Sequence, residues 1–146
     1  MKVLVLNGPN LNLLGIREPD RYGKETYRTL LSRIRRKAKE LGIRVRCYQS
    51  NHEGDLVDKI HAARLRFDAI VFNPGAYTHT SIALLDAVKS TKLKTVEVHI
   101  SKVEDREDFR QTSYIRLAAI KTITGHGVNG YLEAIDFLAE HLKNEN

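Results

Sequence analysis

The 146-residue chain reads as an α/β protein, a doubly wound sheet of five parallel strands in the order 2-1-3-4-5 covered by helices on both faces. Three observations predict this. Short apolar, β-branched runs recur at 3–6, 43–48, 69–72, 95–100 and 118–124, and helical patterns fill the intervals between them. Strands that alternate with helices pair in parallel and are buried on both sides. Polar and charged residues gather where the first, third and fourth runs end, which is where such sheets bind ligands.

Each element has its own local reason. The first run, Val3-Leu4-Val5-Leu6, is followed by a 17-residue stretch, 7–23, with glycine or proline at Gly8, Pro9, Gly15, Pro19 and Gly23. A connection of that length is expected to be a binding loop or lid, able to bring Arg17 and Tyr22 over a pocket. The segment 26–41 sets Leu30, Ile34, Ala38 and Leu41 on one helical stripe and stops at Gly42. Leu56, Ile60 and Ala63 do the same within 53–66. The segment 80–92 carries Ile82, Leu84, Leu85 and Val88, with Thr80 or Ser81 available as its cap. The last helix, 128–142, carries Leu132, Ile135, Leu138, Ala139 and Leu142. Five strands and four main helices fit a flavodoxin-like arrangement, and no linker or repeat divides the single domain, 1–146.

Composition excludes several classes. No run approaches the ~18 apolar residues of a membrane span, and the first run is too short for a secretory signal. Cys47, alone, cannot form an internal disulfide, which fits a cytoplasmic protein, and its strand-like surroundings read as a small buried hydrophobe. A net charge of +6 comes largely from arginines and lysines on or beside the helix at 26–41. Without a zinc finger or RNP-like aromatic pattern this reads as a solvated face, or as a field that steers a small anion, and no nucleic-acid partner is expected. No GxGxxG or GxxxxGK[ST] loop is present, and no Cys/His spacing suits a metal, so neither cofactor nor metal is expected. Gly125-His126-Gly127 reads as a turn.

The strand ends carry the chemistry. Asn7 and the long loop follow the first strand, Asn73-Pro74-Gly75-Ala76-Tyr77-Thr78-His79-Thr80-Ser81 follows the third, and Glu97-Val98-His99-Ile100-Ser101 closes the fourth. Glu97 and His99 share a face of an extended strand, where a carboxylate can fix the tautomer of an imidazole and raise its basicity. The amides of Ile100 and Ser101 suit a carboxylate. His79 either binds substrate or caps a helix; Arg110 either clamps an anion or forms a surface pair; Asp86 either reaches a site from a subunit edge or lies on a helix surface.

These blocks, together with Leu6-Asn7-Gly8-Pro9-Asn10-Leu11, Leu14-Gly15-x-Arg17-Glu18-Pro19, Tyr22-Gly23 and Arg106-Glu107-x-Phe109-Arg110, resemble the type II 3-dehydroquinate dehydratases over nearly the whole chain. The resemblance implies a hydro-lyase of the shikimate or quinate pathway that converts 3-dehydroquinate to 3-dehydroshikimate through an enolate, without a cofactor. By position it makes Tyr22 the proton acceptor, His99 the proton donor, Arg17 the cation that activates Tyr22, and Asn10 the holder of a water at the enolate, with Glu97 beside His99. Asn73, His79, Asp86, Ile100, Ser101 and Arg110 would bind substrate. It also implies a homododecamer, a tetramer of trimers. A phenol ionises near pH 10, so a tyrosine base needs a guanidinium close by, which is the reason for Arg17. Lys102, Gln111 and Thr112 depart from the family pattern near the carboxylate end of the site. Of two rival readings, a flavin- or phosphoacceptor-type domain lacks the strand-end loops or acidic pocket it needs, and a nucleic-acid module lacks a zinc finger or RNP-like aromatic pattern.

Overall fold

The computed structural model describes residues 1–16, 18–22 and 24–145. Arg17 and Gly23, both inside the predicted loop, lie outside the described residues. Five strands, β1 (Lys2–Asn7), β2 (Arg44–Gln49), β3 (Ala69–Asn73), β4 (Lys94–His99) and β5 (Lys121–Thr124), form one parallel sheet in the order β2-β1-β3-β4-β5. The helices are α1 (Pro19–Tyr22), α2 (Tyr27–Glu40), α3 (Glu53–Ala63), α4 (Ile82–Thr91) and α5 (Asn129–Glu145).

Alternation along the strands sorts the core into two layers. Val3 and Val5 of β1, with Ala69 and Val71 of β3, pack under α2 and α5; Leu4, Leu6, Ile70 and Phe72 pack under α3 and α4. The α2 stripe buries Leu30, Ile34 and Ala38 as the spacing predicts. Thr26 caps its start by accepting from the Thr29 N–H, and Gly42 ends it at φ 69°. There the Ile43 N–H reaches the Ala38 carbonyl and the Gly42 N–H that of Lys39, the paired bonds of a Schellman cap. Of the two candidate caps for α4, Ser81 serves, its Oγ accepting from Leu84 N–H at 2.9 Å.

Some boundaries differ from expectation. The fifth strand begins at Lys121 rather than 118, because the chain first makes a 3-10 turn over Ile115–Leu117 that buries Ile115. The long first connection holds a 3-10 turn at Leu11–Leu13 and the short α1, and it sinks Leu11, Leu14 and Tyr22 into the core. Among the described residues no helix is long and apolar enough to cross a membrane.

The chain turns from one side of the sheet to the other between β1 and β3, so the crevice opens at their carboxyl ends. There Asn7 and Asn73 are register partners, and the Gly8 N–H donates to the Asn73 carbonyl at 2.8 Å. A Cβ at Gly8 would lie 2.2 Å from the Pro74 carbonyl oxygen, so this approach requires glycine.

Candidate active site

A cavity of about 120 Å³ at this crevice brings together Asn10, Tyr22, Asn73, His79, His99, Ile100, Ser101 and Arg110. A wider, more open hollow of about 540 Å³ lies on the far side of Tyr22 and Arg106, lined mainly by the α1 segment and the 125–129 turn. The smaller cavity is the candidate site, because the predicted acid, base and hydrogen-bonding groups converge there. Glu97 lies beneath it. Asp86 stands on the exposed face of α4 and does not line this cavity within its own chain. Arg17 is outside the described residues.

The acid end is built on β4. Glu97 is fully buried, and its Oε2 accepts from Thr78 Oγ1 at 2.6 Å and Ser113 Oγ at 2.5 Å, while Thr122 Oγ1 donates to Oε1 at 3.2 Å. His99 Nε2 sits 3.1 Å from Glu97 Oε2, close enough for an ion pair but without the geometry of a well-formed hydrogen bond. Burial alone would raise the carboxyl's pKa. The nearby imidazole and the two hydroxyl donors outweigh it and hold the group down at about 2, against an ordinary 4.5. Glu97 is therefore a fixed anion under His99 across the physiological range.

His79 is oriented by its neighbour. Its Nδ1 lies 2.7 Å from the Thr112 carbonyl oxygen, which can only accept, so Nδ1 carries the proton in this contact. Desolvation lowers the pKa, and the charges of His99 and Arg110 act in the same direction against the Thr112 bond. The neutral ring then offers Nε2 as an acceptor for a hydroxyl. Because Thr112 uses its backbone, its departure from the family pattern leaves this bond intact. The Gln111 side chain closes the 103–111 loop, its Nε2 donating to the carbonyls of Val103 and Arg106. Lys102 packs its stem against Gly125.

The base end depends on an arginine to which the sequence alone assigns no role. Arg106 Nη1 donates to Tyr22 Oη at 2.8 Å and reaches Ser101 Oγ at 3.3 Å, and its side chain is only 6% exposed. A guanidinium there stabilises negative charge on the phenol oxygen. Its signal is the motif Arg106-Glu107-x-Phe109-Arg110, which offers two arginines and does not say which of them faces the base. Arg110 lines the cavity, and its Nε donates to Glu107 at 2.7 Å, the surface pair that is one of its two predicted options. Asn10 presents its side chain from a left-handed backbone at φ 70°, its N–H held by Asn51 Oδ1 at 3.0 Å. The turn after β4 is pinned by Gly127 and Gly125 N–H groups on the Ile100 and Ser101 carbonyls. Among the described residues no group of three or more histidine, cysteine or acidic side chains is placed to hold a metal ion.

Comparison with known proteins finds similarity along nearly the whole chain. A family model described as Dehydroquinase class II matches residues 1–139. The chain is 54% identical over 138 residues to the 3-dehydroquinate dehydratase of Corynebacterium glutamicum (strain R), covering 94% of this chain and 95% of that one. It is 49% identical over 142 residues to a catabolic 3-dehydroquinase of Verticillium alfalfae, covering 97% and 95%. The crystal structure of type II dehydroquinase from Butyrivibrio crossotus superposes with a TM-score of 0.93 at 51% identity, over 94% of this chain and 97% of that one.

Proposed function

The chain belongs to the class II dehydroquinase family, and on that premise we propose how its cavity dehydrates 3-dehydroquinate to 3-dehydroshikimate, by anti elimination through an enolate. Tyr22, as phenolate, takes a proton from the carbon next to the ketone, and the electron pair passes into an enolate. Re-forming the ketone expels the hydroxyl on the adjacent carbon as that oxygen receives a proton from His99, so one water is lost and no redox partner is needed.

The observation that carries this reading is the pairing of the Arg106–Tyr22 hydrogen bond with the Glu97–His99 contact in one site. One arrangement sets a cation against the base and the other an anion against the acid. With Nε2 held over Glu97, Nδ1 is the histidine nitrogen left to serve the leaving group. As the resemblance implies, Arg17 also activates Tyr22, and Asn10 holds a water at the enolate oxygen. Neutral His79 and Asn73 bind substrate hydroxyls, the turn at Ile100 and Ser101 receives the carboxylate, and Arg110 supplies a further cation. The reaction belongs to the shikimate or quinate pathway and takes place in the cytoplasm.

Asp86 completes the site of a neighbouring subunit in a homododecamer. Exposed Ile82 on α4 and exposed Leu117 on the turn packed against it supply apolar surface for that contact. Light scattering coupled to size exclusion gives a dodecamer mass if this is right, and a fully active monomer refutes it.

The test of the reaction is absorbance of the conjugated enone on mixing with 3-dehydroquinate, with neither metal nor nucleotide added. The signal rises, survives prior borohydride treatment, and is lost in Tyr22→Phe with unchanged circular dichroism. Near-normal turnover in Tyr22→Phe refutes the assignment of the base.

A further inference from the structure

The buried polar groups that the elimination does not use lie behind Asn73, in a chain that crosses the sheet to α5. Tyr131, in the first turn of that helix, is 0% exposed and sends its phenol in among apolar side chains to the ends of β1 and β3. Its O–H donates to Asn7 Oδ1 at 2.6 Å and accepts from Asn73 Nδ2 at 2.8 Å. Asn73 Oδ1 in turn accepts from the Gly75 N–H at 3.1 Å, and Asn7 Nδ2 points to Tyr27 Oη at 3.5 Å.

The polarity of this chain has one origin. The Gly75 backbone N–H can only donate, so Asn73 must turn Oδ1 toward it and Nδ2 toward Tyr131. The phenol oxygen then accepts from Asn73 and places its single proton on Asn7, whose amide is oriented in the same way. Every bond runs head to tail, an arrangement in which successive hydrogen bonds strengthen one another at low dielectric. Asn73 is left with one N–H and one lone pair beyond these internal bonds, and it lines the catalytic cavity.

We propose that Tyr131 is a positioning residue for the dehydration, anchoring from the buried side of the sheet the Asn73 amide in the orientation that the Gly75 N–H selects. It touches no reacting atom. The inference rests on the reading of Asn73 as a binder of a substrate hydroxyl. A phenylalanine at 131 keeps the ring and removes the bridge, so Asn73 loses the partner that holds Nδ2 while the Gly75 bond alone remains.

Steady-state kinetics well below the melting temperature, on wild type, Tyr131→Phe, Asn73→Ala and the double variant, test the proposal. Tyr131→Phe lowers kcat/KM by about tenfold, the scale of one lost hydrogen bond to a buried group, mostly through a higher KM. In the Asn73→Ala background the same change has no further effect on kcat/KM, although it still lowers the melting temperature. Melting responds to any loss of packing, whereas this coupling responds only to action through Asn73. If Asn73→Ala is impaired but Tyr131→Phe keeps wild-type kcat/KM, or if the two losses simply multiply, Tyr131 is a core residue and the proposal fails alone. If Asn73→Ala itself keeps wild-type constants, the substrate-binding reading of Asn73 falls and takes the proposal with it. Should Tyr131→Phe not fold, Asn7→Ala frees the phenol proton to turn away from its present acceptor; about threefold lower kcat/KM supports the proposal, and an unchanged value overturns it.

Discussion

Glu97→Gln removes one negative charge from a fully buried position and keeps the shape of the side chain, and its effect on stability can be worked out with its sign. In the folded protein the carboxyl titrates near 2, and in the unfolded chain near its ordinary 4.5. Above pH 4.5 the group is ionised in both states and the folded state gains the full difference. As pH falls from 4.5 toward 2 the unfolded chain takes up the proton first, and the gain is progressively lost. At ~1.4 kcal/mol per pH unit the gap corresponds to about 3 kcal/mol. Urea unfolding at fixed protein concentration, at steps from pH 5 to pH 2, reads this directly, because assembly would otherwise shift apparent stability. Wild type minus Glu97→Gln isolates the group from exposed carboxylates such as Glu104 and Glu107, which titrate in both proteins. The difference shrinks by about 3 kcal/mol across the window. A difference that stays constant from pH 5 to pH 2 would mean that the hydroxyl and imidazole contacts do not hold Glu97 as an anion, and the account of the acid end would be wrong. In the same variant kcat at pH 7 falls on the order of tenfold to a hundredfold, because His99 loses the buried anion 3.1 Å from its Nε2.

Two further outcomes concern other parts of the molecule. Arg106→Gln loses the charge-assisted hydrogen bond to Tyr22 Oη, worth roughly 1.5–3 kcal/mol to an ionised partner, so kcat falls about tenfold to a hundredfold; a kcat within about twofold of wild type refutes the role. Burial pushes the Cys47 thiol up to about 11, so iodoacetamide at pH 7.5 labels the native protein far more slowly than the protein in urea; equal rates refute the burial argument.

Short apolar runs and helical periodicity make the strands and the four main helices legible, because strands buried on both faces are apolar throughout and amphipathic helices leave a repeat of 3.6 residues, and the sheet order follows from fitting these elements to a flavodoxin-like arrangement. The fifth strand reads too long in the sequence because Ala118-Ala119-Ile120 is as apolar as a strand. What occupies that stretch is the exit of a 3-10 turn anchored by buried Ile115, and a single anchoring residue leaves no period to read. The site divides in the same way. Glu97 and His99 are visible as neighbours because they are two residues apart on one strand. Arg106 and Tyr22 meet across 84 positions, and Tyr131 meets Asn7 across 124. A tyrosine in an apolar helical stripe looks like any core residue until the fold shows what its hydroxyl faces.

The two ends of the site are held by different kinds of structure, and this separates the costs of damaging them. Glu97 lies within β4, its partner Thr122 is on the neighbouring strand β5, and Thr78 and Ser113 come from the segments after β3 and before β5, so removing its charge disturbs groups that are themselves buried or half-buried. Tyr22 and Arg106 come from α1 and the 103–111 loop, outside the sheet, and that loop is closed by Gln111 through exposed carbonyl contacts. Tyr22 and position 106 line both the cavity and the wider hollow, so when the Arg106 bond is lost water can replace part of it. The Glu97 variant therefore loses stability and turnover together, whereas the Arg106 variant loses turnover with a smaller change in unfolding free energy. Equal stability losses in the two would show that the loop is as firmly built into the folding unit as β4 is.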